Sequence, residues 1–142
     1  MKRQRLLLPL VVVLAVTGCQ RSPSMPAVVP VKGKVLLPGG EPLRGGRLNF
    51  IPKNPSGLGG IEPFADIGQD GTFTVTTYQE NDGAIPGAYV VTISPVDYKA
   101  KGGNPVKLPN AGQIPKKYLE EATSDLTADV KGEATELTLQ LR

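Results

Sequence analysis

From Val31 onward, apolar residues recur at alternate positions in short runs, and turn-forming stretches separate the runs. This is the period of strands with one buried face. Val31–Leu37 places Val31, Val35 and Leu37 together. Leu48 and Phe50 mark a strand over Arg47–Ile51, and Phe64–Ile67 is a shorter one. Phe73, Val75 and Thr77 share a face of Thr72–Tyr78. Tyr89, Val91 and Ile93 face inward from Ala88–Ser94. Leu126–Val130 and Glu136–Leu141 complete the set. Pro38-Gly39-Gly40-Glu41-Pro42 is a turn, and Asp70-Gly71 is a hairpin signal. Seven short strands within residues 31–142 predict an all-β, seven-stranded, Ig-like β-sandwich.

Two segments depart from this pattern. Lys116–Ala122 predicts a short helical cover, with Ile114 and Tyr118 plugging one edge of the sandwich. Val96–Gln113 has no period. It holds Gly102, Gly103, Pro105 and Pro109, together with Lys99, Lys101 and Lys107. Connections this long within a compact domain are uncommon and tend to be functional or mobile.

The N-terminal residues follow another logic. Met1–Arg5 carries Lys2, Arg3 and Arg5, and Leu6–Val16 is apolar except for Pro9. A spanning helix needs about 20 apolar residues. This run is too short to span and suits the core of a signal peptide. It ends in Val16-Thr17-Gly18-Cys19. That tetrad resembles the lipobox of bacterial lipoproteins. The resemblance implies cleavage between Gly18 and Cys19 and a diacylglycerol on the Cys19 thiol. Gln20–Pro30, rich in Ser and Pro, reads as an extended tether. The expected organisation is a signal peptide over 1–18, a lipidated tether over 19–30 and one domain over 31–142. The expected location is the cell envelope, lipid-anchored, and the outer membrane is favoured because Gln20 stands where Asp would be a retention signal.

Composition narrows the function. Of 142 residues, 17 are Gly and 14 are Pro, which agrees with a turn-rich domain. The formal net charge is +3. Cleavage after residue 18 removes three of the 16 cations and none of the 13 acids, which leaves the two in balance. A nucleic-acid-binding reading therefore loses its electrostatic basis. The chain has no His and one Cys. That excludes a Ser-His or Cys-His pair, a His metal site, an internal disulfide and a thiolate cage.

No catalytic constellation emerges. The serines have no His partner, and Ser56-Gly57 and Ser94-Pro95 are turn contexts. Asp66, Asp70 and Asp82 are potential oxygen ligands, but their spacing matches no EF-type loop. Neither a metal nor a cofactor is expected. Most of the seven aromatics fall at inward positions. Tyr98 alone lies in the long connection, where it is a candidate sugar platform. With Lys99, Lys101 and Lys107 it forms the candidate contact surface. Lys116 and Lys117 would extend a basic patch, blunted by Glu120 and Glu121.

Three groups of motifs carry a further resemblance. One is Val31-Lys-Gly-Lys-Val35, Gly40-Glu-Pro-Leu43 and Gly46-Arg-Leu-Asn-Phe50-Ile-Pro52. Another is Asp70-Gly-Thr-Phe-Thr-Val75 with Asp82-Gly-Ala-Ile-Pro-Gly-Ala-Tyr-Val-Val-Thr-Ile93. The third is Ile114-Pro-Lys-Lys-Tyr118 with Ala122-Thr-Ser-Asp-Leu-Thr-Ala128. Together they resemble small planctomycete lipoproteins with a carboxypeptidase regulatory-like, or transthyretin-like, domain. The resemblance implies a transthyretin-like sandwich and no particular activity. Gly68 stands where such relatives often carry Asp, which weakens a cation site at that turn. The expected role is a non-catalytic binding or structural module displayed from the envelope membrane by its lipid. Its partner would be an envelope protein or a polysaccharide. The alternative is a carbohydrate- or exopolymer-binding module at the cell surface.

Overall fold

The structure is a computed structural model that describes residues 25–55, 60–99, 102–108 and 110–142. The signal segment, Gly18, Cys19 and Lys101 lie outside the described residues. Nine strands are present among the described residues: β1 (Val31–Leu36), β2 (Arg47–Pro52), β3 (Phe64–Asp66), β4 (Thr72–Thr74), β5 (Gly87–Ser94), β6 (Val96–Asp97), β7 (Val106–Lys107), β8 (Thr127–Val130) and β9 (Thr135–Gln140). Seven of them form two sheets, ordered β4-β1-β9 and β3-β2-β5-β8. These are the seven strands that the alternation predicts. The fold is all-β, and the two sheets pack as a sandwich.

The larger sheet is antiparallel throughout. In the smaller one, β1 runs antiparallel to β4 and parallel to β9. The β1–β9 register runs from Val31 opposite Thr135 to Leu36 opposite Gln140. The first and last strands of the domain therefore lie side by side.

The inward positions fill the space between the sheets. Phe50 from β2 meets Phe73 from β4 at 6.3 Å between ring centroids. It also meets Tyr89 from β5 at 6.1 Å, nearly edge to face. Val31, Val35, Leu48, Val91, Ile93 and Leu139 surround these rings and are buried. Each buried side chain of this size contributes about 1.5–3 kcal/mol of transfer free energy. Gly33 lies opposite Phe73 in the β1–β4 register. A β-carbon there would run into the Phe73 ring and the Leu137 carbonyl. The glycine of Val-Lys-Gly-Lys-Val is thus where the core admits an aromatic ring from the next strand.

Several sequence expectations are corrected. The strand predicted over Thr72–Tyr78 ends at Thr74. Thr76 then exchanges backbone hydrogen bonds with Phe64, at 3.0 and 2.8 Å, so the chain crosses toward the other sheet. The Asp70-Gly71 turn accordingly joins strands of different sheets. The short helix is a single 3-10 turn, Lys116–Leu119, with Pro115 at its N-cap. It still buries Tyr118, and Ile114 is buried beside it. The Tyr118 hydroxyl accepts the Arg142 N–H at 2.9 Å.

The tether also ends earlier than Pro30. Val29 and Ala84 exchange backbone hydrogen bonds at 2.9 and 3.0 Å, and the Tyr78 hydroxyl donates to the Pro26 carbonyl at 3.1 Å. Gly83, at φ +107, permits this because the Val29 carbonyl occupies the place of a side chain. The Asp82-Gly-Ala-Ile-Pro-Gly-Ala-Tyr motif is therefore the seat of the N-terminal segment as well as the entry to β5. Tyr89, expected to face inward, is fully buried, and its hydroxyl donates to the Ile85 carbonyl.

The long connection is structured in part. β6 and β7 pair as a small antiparallel ribbon, Val96 opposite Lys107 and Asp97 opposite Val106. Leu108 is buried against Gly45 and Gly46. Two-residue strands have no period to read, so alternation could not reveal them.

Candidate functional site

Because Leu48 and Phe50 point inward, Arg47 and Asn49 point outward from β2. Cross-strand register then decides their company. Asp66 of β3 lies opposite Arg47, and Phe64 lies opposite Asn49. On the other side, Ser94 lies opposite Arg47 and Thr92 opposite Asn49. The Asn49 amide donates to the Ser94 hydroxyl at 3.1 Å and to the Thr92 hydroxyl at 3.4 Å. A polar row thus crosses the outer face of the larger sheet.

Arg47 is held on three sides. Its Nε donates to Asp66 Oδ1 at 2.7 Å. Its guanidinium carbon lies 4.2 Å from the Phe64 ring centroid. The chain leaving β5 folds Tyr98 over the opposite side, 4.1 Å from the same carbon. The cation is therefore stacked between two aromatic rings, each a favourable cation–π partner. The Arg47 and Asp66 side chains are only 22% and 19% exposed, so water screens their pair less than a surface one. Among the described residues, no hydrogen bond engages the Arg47 Nη groups.

Lys99 extends the chain of charges. Its ammonium lies 3.5 Å from Asp66 Oδ2 and 3.8 Å from Glu80 Oε1. The Asp97 carboxylate accepts the Lys99 backbone N–H at 2.8 Å and shapes the turn that carries both Tyr98 and Lys99. Arg47, Asp66, Lys99 and Glu80 thus alternate in sign around a cleft of about 320 Å³, which Phe64, Thr74, Thr76 and Asn81 also line. The cleft sits where β3 and β4, from different sheets, come together.

The residues singled out in the sequence fall in different places. Tyr98 and Lys99 join this site. Tyr98 is 40% exposed, but one of its faces is taken by Arg47. Lys107 is exposed in β7. Lys117 pairs with Asp125 at 2.7 Å and lies over the Tyr118 ring. The hydrogen bond to Asp125 raises the Lys117 pKa, and the same bond lowers that of Asp125.

Asp66, Asp70 and Asp82 do three separate jobs. Asp66 pairs with Arg47. Asp70 accepts the Thr72 hydroxyl and backbone N–H within its own turn, which lowers its pKa. Asp82 accepts the backbone N–H groups of Thr77, Tyr78 and Gln79 at 2.7, 3.0 and 2.9 Å. Burial pushes the Asp82 carboxyl up, but those three donors outweigh it and hold the pKa below the usual carboxylate value. Among the described residues, no group of three or more acidic or Cys side chains is placed to hold a metal.

Arg47, Phe64, Glu80 and Asn81 escaped the sequence reading. Alternation marks Arg47 as outward, yet only the β2–β3 register brings it to Asp66. Chemically, the cleft offers charge-assisted donors and acceptors beside an aromatic ring.

No family model matches the chain, and no curated protein matches it. A solved structure similar to it is the dioxygenase domain of a dioxygenase–carbohydrate-binding protein fusion from the cellulolytic bacterium Streptomyces sp. SirexAA-E. The two are 20% identical over 85% of each chain, with a TM-score of 0.36. At that distance nothing about activity passes from one to the other.

Proposed function

We propose that this chain is an envelope-anchored lipoprotein that displays a non-catalytic β-sandwich as a binding or structural module. The observation that carries the reading is the N-terminal series of basic residues, short apolar run and Val16-Thr17-Gly18-Cys19. The seat of the N-terminal segment agrees with it. Pro26, whose carbonyl Tyr78 holds, lies seven residue steps after Cys19. At roughly 3.3–3.6 Å per extended residue, that leash reaches about 25 Å. A lipid at Cys19 would keep the sandwich close to the bilayer, and the domain itself needs no spanning element. Among the described residues, no helix is long and apolar enough to cross a membrane. Two or three acyl chains hold firmly, at about 0.8 kcal/mol per buried CH₂.

The test is fractionation of Cys19→Ser. The variant is expected in the soluble envelope fraction or as uncleaved precursor. Membrane retention equal to that of the parent protein overturns the reading.

A second reading, a carbohydrate- or exopolymer-binding module, is favoured by one specific observation: the stacked, charge-balanced cleft around Arg47. Its test is binding of the purified full chain, in detergent, to immobilised polysaccharides.

A further inference from the structure

The cleft around Arg47 does not end at β4. A second cleft of about 490 Å³ adjoins it and shares Asp66, Thr74 and Asn81 as common walls. It continues along the outer side of β1 and β4, where Lys32, Lys34 and Thr72 line it. The two form one groove that leaves the outer face of the larger sheet, crosses the β3–β4 corner and runs onto the smaller sheet. Such a shape suits an extended chain better than an isolated small molecule.

The chemistry of the walls selects the class of chain. Across both clefts, four cations face three carboxylates: Glu136 adds to Asp66 and Glu80. Most of these charges already have partners, since Lys32 lies 3.9 Å from Glu136 and the other ion pairs are those around Asp66. A strongly anionic polymer would have to approach carboxylates that the cations already neutralise. A neutral polyol needs no such displacement. Its hydroxyls donate and accept, and the groove alternates donors (Arg47 Nη, Lys99, the Asn81 amide) with acceptors (Asp66, Glu80), with the Thr74 hydroxyl, which does both, and with the Thr72 hydroxyl, which donates to Asp70 and accepts from a ligand. Phe64, whose ring Arg47 covers on one face, adds apolar surface to the wall for the C–H groups of a sugar. Peptide docking would require broader apolar pockets than Phe64 and Phe73 provide.

From this geometry we infer that the groove binds a stretch of neutral polysaccharide across the β3–β4 corner, with Asn81 and Thr74 at its waist. The inference deepens the carbohydrate-binding reading and rests on it. It stands or falls apart from lipid anchoring, because binding is measured on the detergent-solubilised full chain.

Thr74 and Asn81 are exposed, and the Thr74 hydroxyl has no hydrogen bond among the described residues. Asn81 has φ +62, a conformation that Gly adopts freely. Thr74→Ala with Asn81→Gly should therefore leave the melting temperature in place while removing two walls of the groove. The probes are a soluble β-glucan, xylan and mannan as neutral chains and polygalacturonate as an acidic one, measured by titration calorimetry. At least one neutral chain is expected to bind, and the double variant should weaken it at least tenfold. Undiminished binding by the double variant, with loss in Tyr98→Ala, overturns the groove and moves a surviving sugar site to the Tyr98 ring. Tighter binding of polygalacturonate than of any neutral chain overturns the ligand class. Failure of all four polysaccharides to bind overturns both the groove and the carbohydrate reading, and leaves the Cys19→Ser result untouched.

Discussion

The Val29 carbonyl rests where a β-carbon on Gly83 would have to stand. This close approach joins the segment before β1 to the turn before β5, and it has measurable consequences.

Gly83→Ala should be among the most damaging single substitutions. It combines an unfavourable positive φ with a backbone clash, together about 2–5 kcal/mol. Thermal melting of the variant measures the loss. A shift of less than a few degrees would show that the N-terminal segment simply lifts away, and proteolysis at residues 25–30 would then be faster than in the parent.

Asp82→Ala removes the acceptor for three backbone donors. Hydrogen bonds to charged groups are worth about 1.5–3 kcal/mol, so a loss in that range is expected near neutral pH. The pH dependence follows from the lowered pKa. A carboxyl depressed below its ordinary 3.8 stabilises the fold above that value and loses this contribution as pH falls through the folded value. Denaturation followed from pH 6 down to about pH 2 should thus show a shallower acid decline for Asp82→Ala than for the parent. Parallel profiles would show that Asp82 carries no net stabilisation.

Phe73→Ala should cost about 3–5 kcal/mol, the range for buried Phe truncations. The ring packs on Phe50 and fills the space that Gly33 leaves open. Denaturant melts measure this directly. A loss under about 1 kcal/mol would mean that the two sheets close over the gap.

Leu108→Ala tests the anchoring of the β6–β7 ribbon. Leu108 packs against Gly45 and Gly46 while most of its neighbours in the connection are exposed. Its loss should open the connection locally more than it lowers global stability. Limited trypsin should then cut at Lys107 faster than in the parent, at an unchanged rate at Lys34. Equal cleavage at Lys107 in both proteins would show that backbone pairing alone holds the ribbon.

The seven sandwich strands were legible because each buries one face and therefore repeats every second residue. Leu48 and Phe50, or Tyr89, Val91 and Ile93, announce themselves in this way. The site was far less legible. The Arg47–Asp66 pair depends on a β2–β3 register set across a Gly- and Pro-rich loop, and nothing local encodes it. Tyr98 stood out as an aromatic outside any strand, but its ring faces Arg47, 51 residues earlier in the chain. The seat of Val29 was hidden for a related reason: Gly83 announces a turn, not which distant carbonyl will lie against it.

The parallel pairing of β1 with β9 has a mechanical side. β1 is the central strand of its sheet, and the chain enters it directly from the N-terminal segment. A pull on that segment, with the far side of the sandwich gripped, runs along β1 and slides it lengthwise between β4 and β9. The hydrogen bonds on both flanks then bear the load at the same time. A hairpin pulled from its open end gives way one bond after another. By its topology this sandwich should resist force applied through its N-terminus better than force that peels β9 away from the C-terminal end, a contrast that force spectroscopy with the two pulling points can read.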